Sequence, residues 1–259
     1  MLPLNMISIK CTDINNKCYE IKDLEHIAFD KDGTLLTFDM FVPVMKKRAE
    51  ILIKRYELPQ KCYNEILELM GINPETNKVI IGGAIHTKRV EIIRQTSNYL
   101  RRYNKNVPIE IVSSIFDEVD NLVDFGSNVQ TYPGVKELLN ELKKVGVKIT
   151  IITHDTSEAA KKQLKSAKID HFFDRIIGLD LDSHCNPKPA PDMLIYATKL
   201  LNVDIKKTVV VGDDNRDMLM GKNAGALKTI GVLSGRAKEK DLTDADIILN
   251  SVADIKVKG

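Results

Sequence analysis

From residue 127 to the end, short apolar runs alternate with amphipathic stretches of helical period. "VKITIITHD", "FDRIIGLD", "TVVVGDDNRD", "TIGVL" and "ADIILN" read as strands. "YPGVKELLNELKKVG", "TSEAAKKQLKSAKI", "APDMLIYATKLLNV" and "MLMGKNAGALK" read as the helices between them. Strands and helices of these lengths in alternation leave few topologies. The crossovers are right-handed βαβ units, and the sheet is parallel with helices on both faces. The fold class expected is α/β, a Rossmann-like parallel sheet. One more strand, "IAF" at Ile27–Phe29, stands far upstream and ends in "DKDGTLL".

Between that strand and "VKITIITHD" the texture is helical. "VPVMKKRAEILIKRYEL" sets Val44, Ala49, Leu52, Ile53 and Tyr56 roughly on one face. "QKCYNEILELMG" closes on Gly71, and "HTKRVEIIRQTSNYLRRY" and "PIEIVSSIFDEVDNLV" supply two more helices. Residues 40–126 are therefore read as a helical domain inserted in an α/β core of residues 1–39 and 127–259. The core begins with residues 1–24, where "ISIKC", "TDINN" and "KCYEI" predict a small hairpin.

Bulk properties narrow the partners. Hydrophobic content of 43% and charged content of 29% are ordinary for a globular protein. A net charge of +2 gives no reason to expect a nucleic-acid or membrane partner. No apolar run reaches the ~18 residues of a membrane span, and "MLPLNMISIKC" lacks the pattern of a signal peptide. Cys11, Cys18, Cys62 and Cys185 show no CxxC spacing. They are read as reduced thiols in a cytoplasmic protein, although Cys11 and Cys18 could face each other across the hairpin. Oligomeric state is not legible.

The chemistry gathers at strand ends. In an open parallel sheet, ligands collect at the C-terminal ends of strands. Those ends carry Asp30 and Asp32, then Thr153 and His154, and then Asp213, Asp214 and Asp217; Lys188 precedes a helix in "NPKPAPD". Acids, a hydroxyl and a lysine in one place suit one hard cation and one phosphate. Oxygen donors of this kind favour Mg²⁺.

These residues resemble the motifs of the haloacid dehalogenase (HAD) superfamily of hydrolases. "DKDGT" is similar to the family's DxDGT, "IITHD" to its strand ending in Thr or Ser, "KPAPD" to its lysine motif and "GDDNRD" to GDxxxD. All four stand in the family's order. The resemblance implies that Asp30 attacks phosphorus and that Asp32 protonates the leaving alcohol and then takes a proton from water. It further implies metal ligation by Asp30, by the Asp32 backbone carbonyl and by Asp213. Thr153, the His154 backbone N–H and Lys188 would hold the phosphoryl group. For the His154 side chain, a positioning role is expected rather than that of base. Asp217 would hold a metal-bound water or Lys188. Asp214 is left between capping the next helix and assisting the metal. Lys31 is expected to be a structural, salt-bridged lysine, Gly33 to permit the turn, and the Thr34 hydroxyl to secure it.

The insertion sits where the family carries its first type of cap, a helical one. Too few residues separate Thr153 from Lys188 for the second type. An acid at position 32 favours phosphate esters, and the whole most resembles the phosphoglycolate-phosphatase-like branch, acting on a small phosphorylated metabolite. A phosphosugar mutase of the same superfamily would carry a histidine in the first cap helix, and "LLTFDMFVPVMKKRAE" has none. A non-catalytic HAD-like binding protein would not need the complete set of acids. His86, Lys88 and Arg89 after Gly82-Gly83 read either as a grip on an anionic group of the leaving side or as a hinge with a solvated basic turn.

Overall fold

The computed structural model describes residues 7–80, 84, 89–103, 105–123, 129–180 and 185–258. The chain divides into two compact units, residues 1–37 with 130–259, and residues 38–129.

The first unit is built on a six-stranded parallel sheet. Its strands are β3 (His26–Phe29), β6 (Lys148–Ile152), β7 (Arg175–Ile177), β8 (Thr208–Gly212), β9 (Lys228–Val232) and β10 (Ile247–Leu249). Their order across the sheet is β10-β9-β8-β3-β6-β7. Every pairing is parallel, which confirms the α/β class expected above. All of β3 and β8 is buried, as central strands covered on both faces must be. Each of Ile27, Phe29, Val209 and Val211 is fully buried, which at such sites is worth ~1.5–3 kcal/mol per side chain. The crossovers are α5 (Val135–Lys144), α6 (Ser157–Ser166), α7 (Asp192–Leu201) and α8 (Asn215–Ala224). The α5 helix ends just before Gly146, whose φ of +83° turns the chain into β6.

The N-terminal hairpin forms, as β1 (Ser8–Thr12) and β2 (Cys18–Lys22). It does not extend the parallel sheet. A separate antiparallel sheet runs β11-β1-β2, where β11 is Ile255–Lys258 at the C-terminal end. Ile9 pairs with both Val257 and Ile21, and Ile9, Cys11, Ile21 and Ile255 form its buried face. Helix α5 packs against both β6 and β11, so it joins the two sheets. Cys18 stands opposite Thr12 and Cys11 opposite Tyr19, and none of the four cysteines is in a disulfide.

The second unit holds α1 (Val42–Tyr56), α2 (Cys62–Leu69), α3 (Arg89–Arg101), α4 (Ile109–Leu122) and a short hairpin of β4 (Ile72–Asn73) with β5 (Lys78–Val79). Its core includes Ala49, Leu52, Ile66, Leu67, Leu100, Val112, Ile115 and Phe116. The buried stripe of α1 is Val44, Met45, Arg48, Ala49 and Leu52; Ile53 and Tyr56 lie at its margin. Arg48 belongs to that stripe because Phe116 and Asp120 receive it. Its guanidinium lies 4.0 Å from the Phe116 ring centroid and 2.5 Å from Asp120 Oδ1.

Candidate active site

The order of the sheet decides which strand ends meet. β3 lies between β6 and β8, with Phe29 in register with Ile151 and Val211. Asp30 leaves β3 beside the ends of both neighbours, and its N–H still donates to Val211 O at 2.9 Å. Thr153 follows β6 and Asp213 follows β8, each one step further along. A cavity of about 100 Å³ opens there, lined by the sequence-predicted Asp30, Asp32, Thr153, His154, Lys188, Asp213, Asp214 and Asp217. Asp155, Arg216 and Arg236 also line it.

Behind the acids the chain turns sharply. Gly33 has φ +87°, and its N–H donates to Leu36 O at 2.8 Å while Leu35 and Leu36 donate to Lys31 O. The turn is therefore secured by the backbone. The Thr34 hydroxyl, expected to secure it, is buried with no hydrogen-bond partner among the described residues. Gly33 has a second reason to be glycine. A Cβ there would come 2.3 Å from Asp213 Oδ2, and one on Gly235 would come 2.0 Å from the same atom. Asp213 is thus pinched between two glycines, and Arg236 N–H donates to its Oδ2 at 2.7 Å.

Lys188 ties the acids together. Its ammonium donates to Asp30 Oδ1 at 2.5 Å, Asp217 Oδ1 at 2.7 Å and Ile152 O at 3.0 Å. Burial opposes its charge, but Asp217 and Asp30 outweigh burial and hold its pKa above the usual lysine value. Asp213 is pushed well above the carboxylate range by burial, with Asp30 and Asp217 adding to it. Asp217 is raised to about 6, again by burial first, against the pull of Lys188. One oxygen from each of Asp30, Asp213 and Asp217 lies within 4.8 Å of the others. Two buried carboxylates and the partly buried Asp30, facing one lysine, leave an excess of negative charge, and a hard divalent cation is the group that relieves it. The donor set fits Mg²⁺ on that ground.

Asp214 caps α8. Its Oδ1 accepts from Arg216 N at 2.9 Å, and its own N–H donates to Asp217 Oδ2 at 3.2 Å, a reciprocal capping box. Arg216 closes on the same carboxylate through Nε and Nη2 at 3.0 and 2.8 Å. Thr153 Oγ1 is buried and accepts from Asp155 N at 3.2 Å. His154 Nε2 is buried with no hydrogen-bond partner among the described residues, and its Nδ1 is 3.5 Å from Arg216 Nη1. Burial, then Lys188 and Arg216, lower its pKa and favour the neutral ring.

Lys31 is the salt-bridged lysine that was expected. Asp32 lies at its ammonium, and burial, with Asp155 and Asp30 adding, holds the Asp32 carboxyl above the usual range against that lysine. In the second unit, Arg89 pairs with Asp117 and Asp120 of α4 at 2.6 and 3.3 Å. His86 and Lys88 lie outside the described residues. Of the lining residues that motif reading missed, Asp155 and Arg216 sit beside or within quoted motifs. Arg236 was findable too, since it follows β9, the strand next to β8.

Comparison with known proteins agrees with this geometry. A sequence model of the haloacid dehalogenase-like hydrolases matches residues 24–225. Pyrophosphatase PpaX of Bacillus mycoides (strain KBAB4) is 37% identical over 216 residues, covering 75% of this chain and 95% of its own. Two solved structures share the fold. One is a predicted phosphoglycolate phosphatase from Haemophilus somnus 129pt (TM-score 0.59, 21% identity, 89% of this chain and 96% of that one). The other is a proposed beta-phosphoglucomutase from Thermotoga maritima (TM-score 0.58, 22% identity, 89% and 95%). The chain belongs to the haloacid dehalogenase-like hydrolase family and is an enzyme of its phosphatase type.

Proposed function

We propose that this enzyme is a Mg²⁺-dependent phosphatase that hydrolyses a small phosphorylated metabolite through an aspartyl-phosphate on Asp30, with residues 38–129 as its cap. The observation that carries the reading is the Lys188 ammonium bridging Asp30 and Asp217 beside the buried Asp213. An Asp30 oxygen forms a bond to phosphorus as the bond from phosphorus to the leaving oxygen breaks. The electron pair stays on that oxygen, which takes a proton from Asp32 and departs as the alcohol. Asp32, now a carboxylate, takes a proton from water as the water oxygen bonds phosphorus, and phosphate leaves with Asp30 restored. Lys188 and the Thr153 hydroxyl hold charge on the transferring group. Asp30, Asp213 and the Asp32 backbone carbonyl would hold Mg²⁺, which when bound supplies the positive charge that lets an anionic carboxylate approach an anionic phosphate.

The relative named a pyrophosphatase supports including inorganic pyrophosphate among the substrates, with phosphate as the leaving group. A mutase reading finds no histidine in residues 38–56 to manage sugar hydroxyls. The test is phosphate release over a panel of phosphoglycolate, sugar phosphates, nucleotides and pyrophosphate, with Mg²⁺ and with chelator. Turnover of one panel member that vanishes with chelator and falls at least ~1,000-fold in Asp30→Asn supports the reading. Full activity in chelator, or an active Asp30→Asn, rejects it.

A further inference from the structure

Lys31 separates the two motif acids in the sequence, and its side chain is fully buried. The ammonium donates to Asp32 Oδ1 at 2.6 Å and Oδ2 at 2.7 Å. It lies 3.0 Å from Asp155 Oδ2 and donates to Gln163 Oε1. These partners come from three places: the motif itself, the loop after β6, and helix α6. Burying an ammonium is expensive, and an apolar side chain of similar volume would fill the space at no such cost. The network is explained by what it holds. A carboxylate at the mouth of a strand has several rotamers about χ1 and χ2 open to it. Two hydrogen bonds from an anchored donor remove that freedom. Each Asp32 oxygen has two lone pairs, so the contacts with Lys31 leave a site on each oxygen for a proton.

We propose that Lys31 is a positioning residue for Asp32: its ammonium, anchored by Asp155 and Gln163, aims the Asp32 carboxyl group at the leaving-group oxygen. This rests on Asp32 being the proton donor of the proposed function. Asp155 keeps the ammonium paired while Asp32 gives up its proton to the departing oxygen and recovers one from water. The consequence is specific. Lys31 matters in proportion to how much the leaving group needs a proton. An alkoxide needs one badly. A p-nitrophenolate barely does.

The test compares kcat/KM, which reports transfer to Asp30, for an alkyl phosphate and for p-nitrophenyl phosphate. The variants are Asp32→Ala, Lys31→Met, Gln163→Leu and the double variant Lys31→Met/Asp32→Ala. Loss of a general acid costs ~10²–10⁴-fold, so Asp32→Ala should lose far more on the alkyl than on the aryl ester. Lys31→Met should show the same skew, with at least ~10-fold more loss on the alkyl ester, and should add nothing to Asp32→Ala. Gln163→Leu keeps every charge of the cluster and should show the skew in milder form. It decides the matter if Lys31→Met does not fold. If Asp32→Ala shows the skew while Lys31→Met and Gln163→Leu lose equally on both esters, positioning by Lys31 is overturned and the proposed function stands. If Asp32→Ala shows no skew, the proton-donor assignment fails and takes this inference with it.

Discussion

His26 is fully buried at the first position of β3, with Nδ1 3.2 Å from Thr208 Oγ1 and Nε2 2.9 Å from Thr150 Oγ1. Those strands flank it on both sides, so one imidazole links three strands of the sheet. Burial lowers its pKa from 6.5 to about 4, against a small opposing pull from Asp174. The sign follows from proton binding. Between pH 6.5 and about pH 4 the unfolded chain binds this proton and the folded one does not. His26 therefore supports the fold fully above pH 6.5, and that support is lost as pH falls towards 4. The whole difference is ~3 kcal/mol. Urea unfolding of wild type and His26→Gln across this range should show wild type losing ~3 kcal/mol more than the variant. Parallel pH dependences would show that the ring is protonated as easily in the fold as outside it.

At the scale of elements, α8 is the helix whose start belongs to the candidate site. Its capping box joins Asp214 to Asp217, and Asp217 in turn holds Lys188. Asp214→Ala should cost ~1 kcal/mol for the lost cap. Its effect on turnover should be small beside that of Asp213→Ala, whose carboxylate sits between Gly33 and Gly235 and faces Asp30 and Asp217. Paired measurements of unfolding free energy and of Mg²⁺ dependence check both halves. A larger loss of Mg²⁺-supported activity in Asp214→Ala would exchange the roles of these neighbours.

At the scale of the whole molecule, the two units have separate cores, and Phe116 is the pivot of the second. It is fully buried and carries the Arg48 guanidinium on its face. Phe116→Ala should cost ~3–5 kcal/mol through the cavity it leaves, and Arg48 would lose its stacking partner as well. Hydrogen exchange should then rise across residues 38–129 and stay low in β3 and β8. An equal rise in those central strands would mean that the units unfold as one.

What the sequence determined by itself was everything that periodicity and strand-end chemistry control. The parallel sheet, the helices between β3 and β6, the N-terminal hairpin and the acids and lysine that line the cavity were legible, because short apolar runs, helical spacing and turn residues are local signals. Tertiary structure decided the contacts whose partners are remote in the chain. β11 is only four residues, Ile-Lys-Val-Lys, and its alternation is too short to stand as a strand until β1 offers an edge with Ile9 opposite Val257. Arg48 looks like a solvated residue until Phe116 and Asp120 arrive from α4. Sequence predicted a salt-bridged Lys31, but Asp155 and Gln163 became its anchors only when β6 and α6 were laid beside β3. The same reason governs each case: pairing energy for a charge or a strand edge exists only once packing has brought a complementary group within reach and excluded water from both.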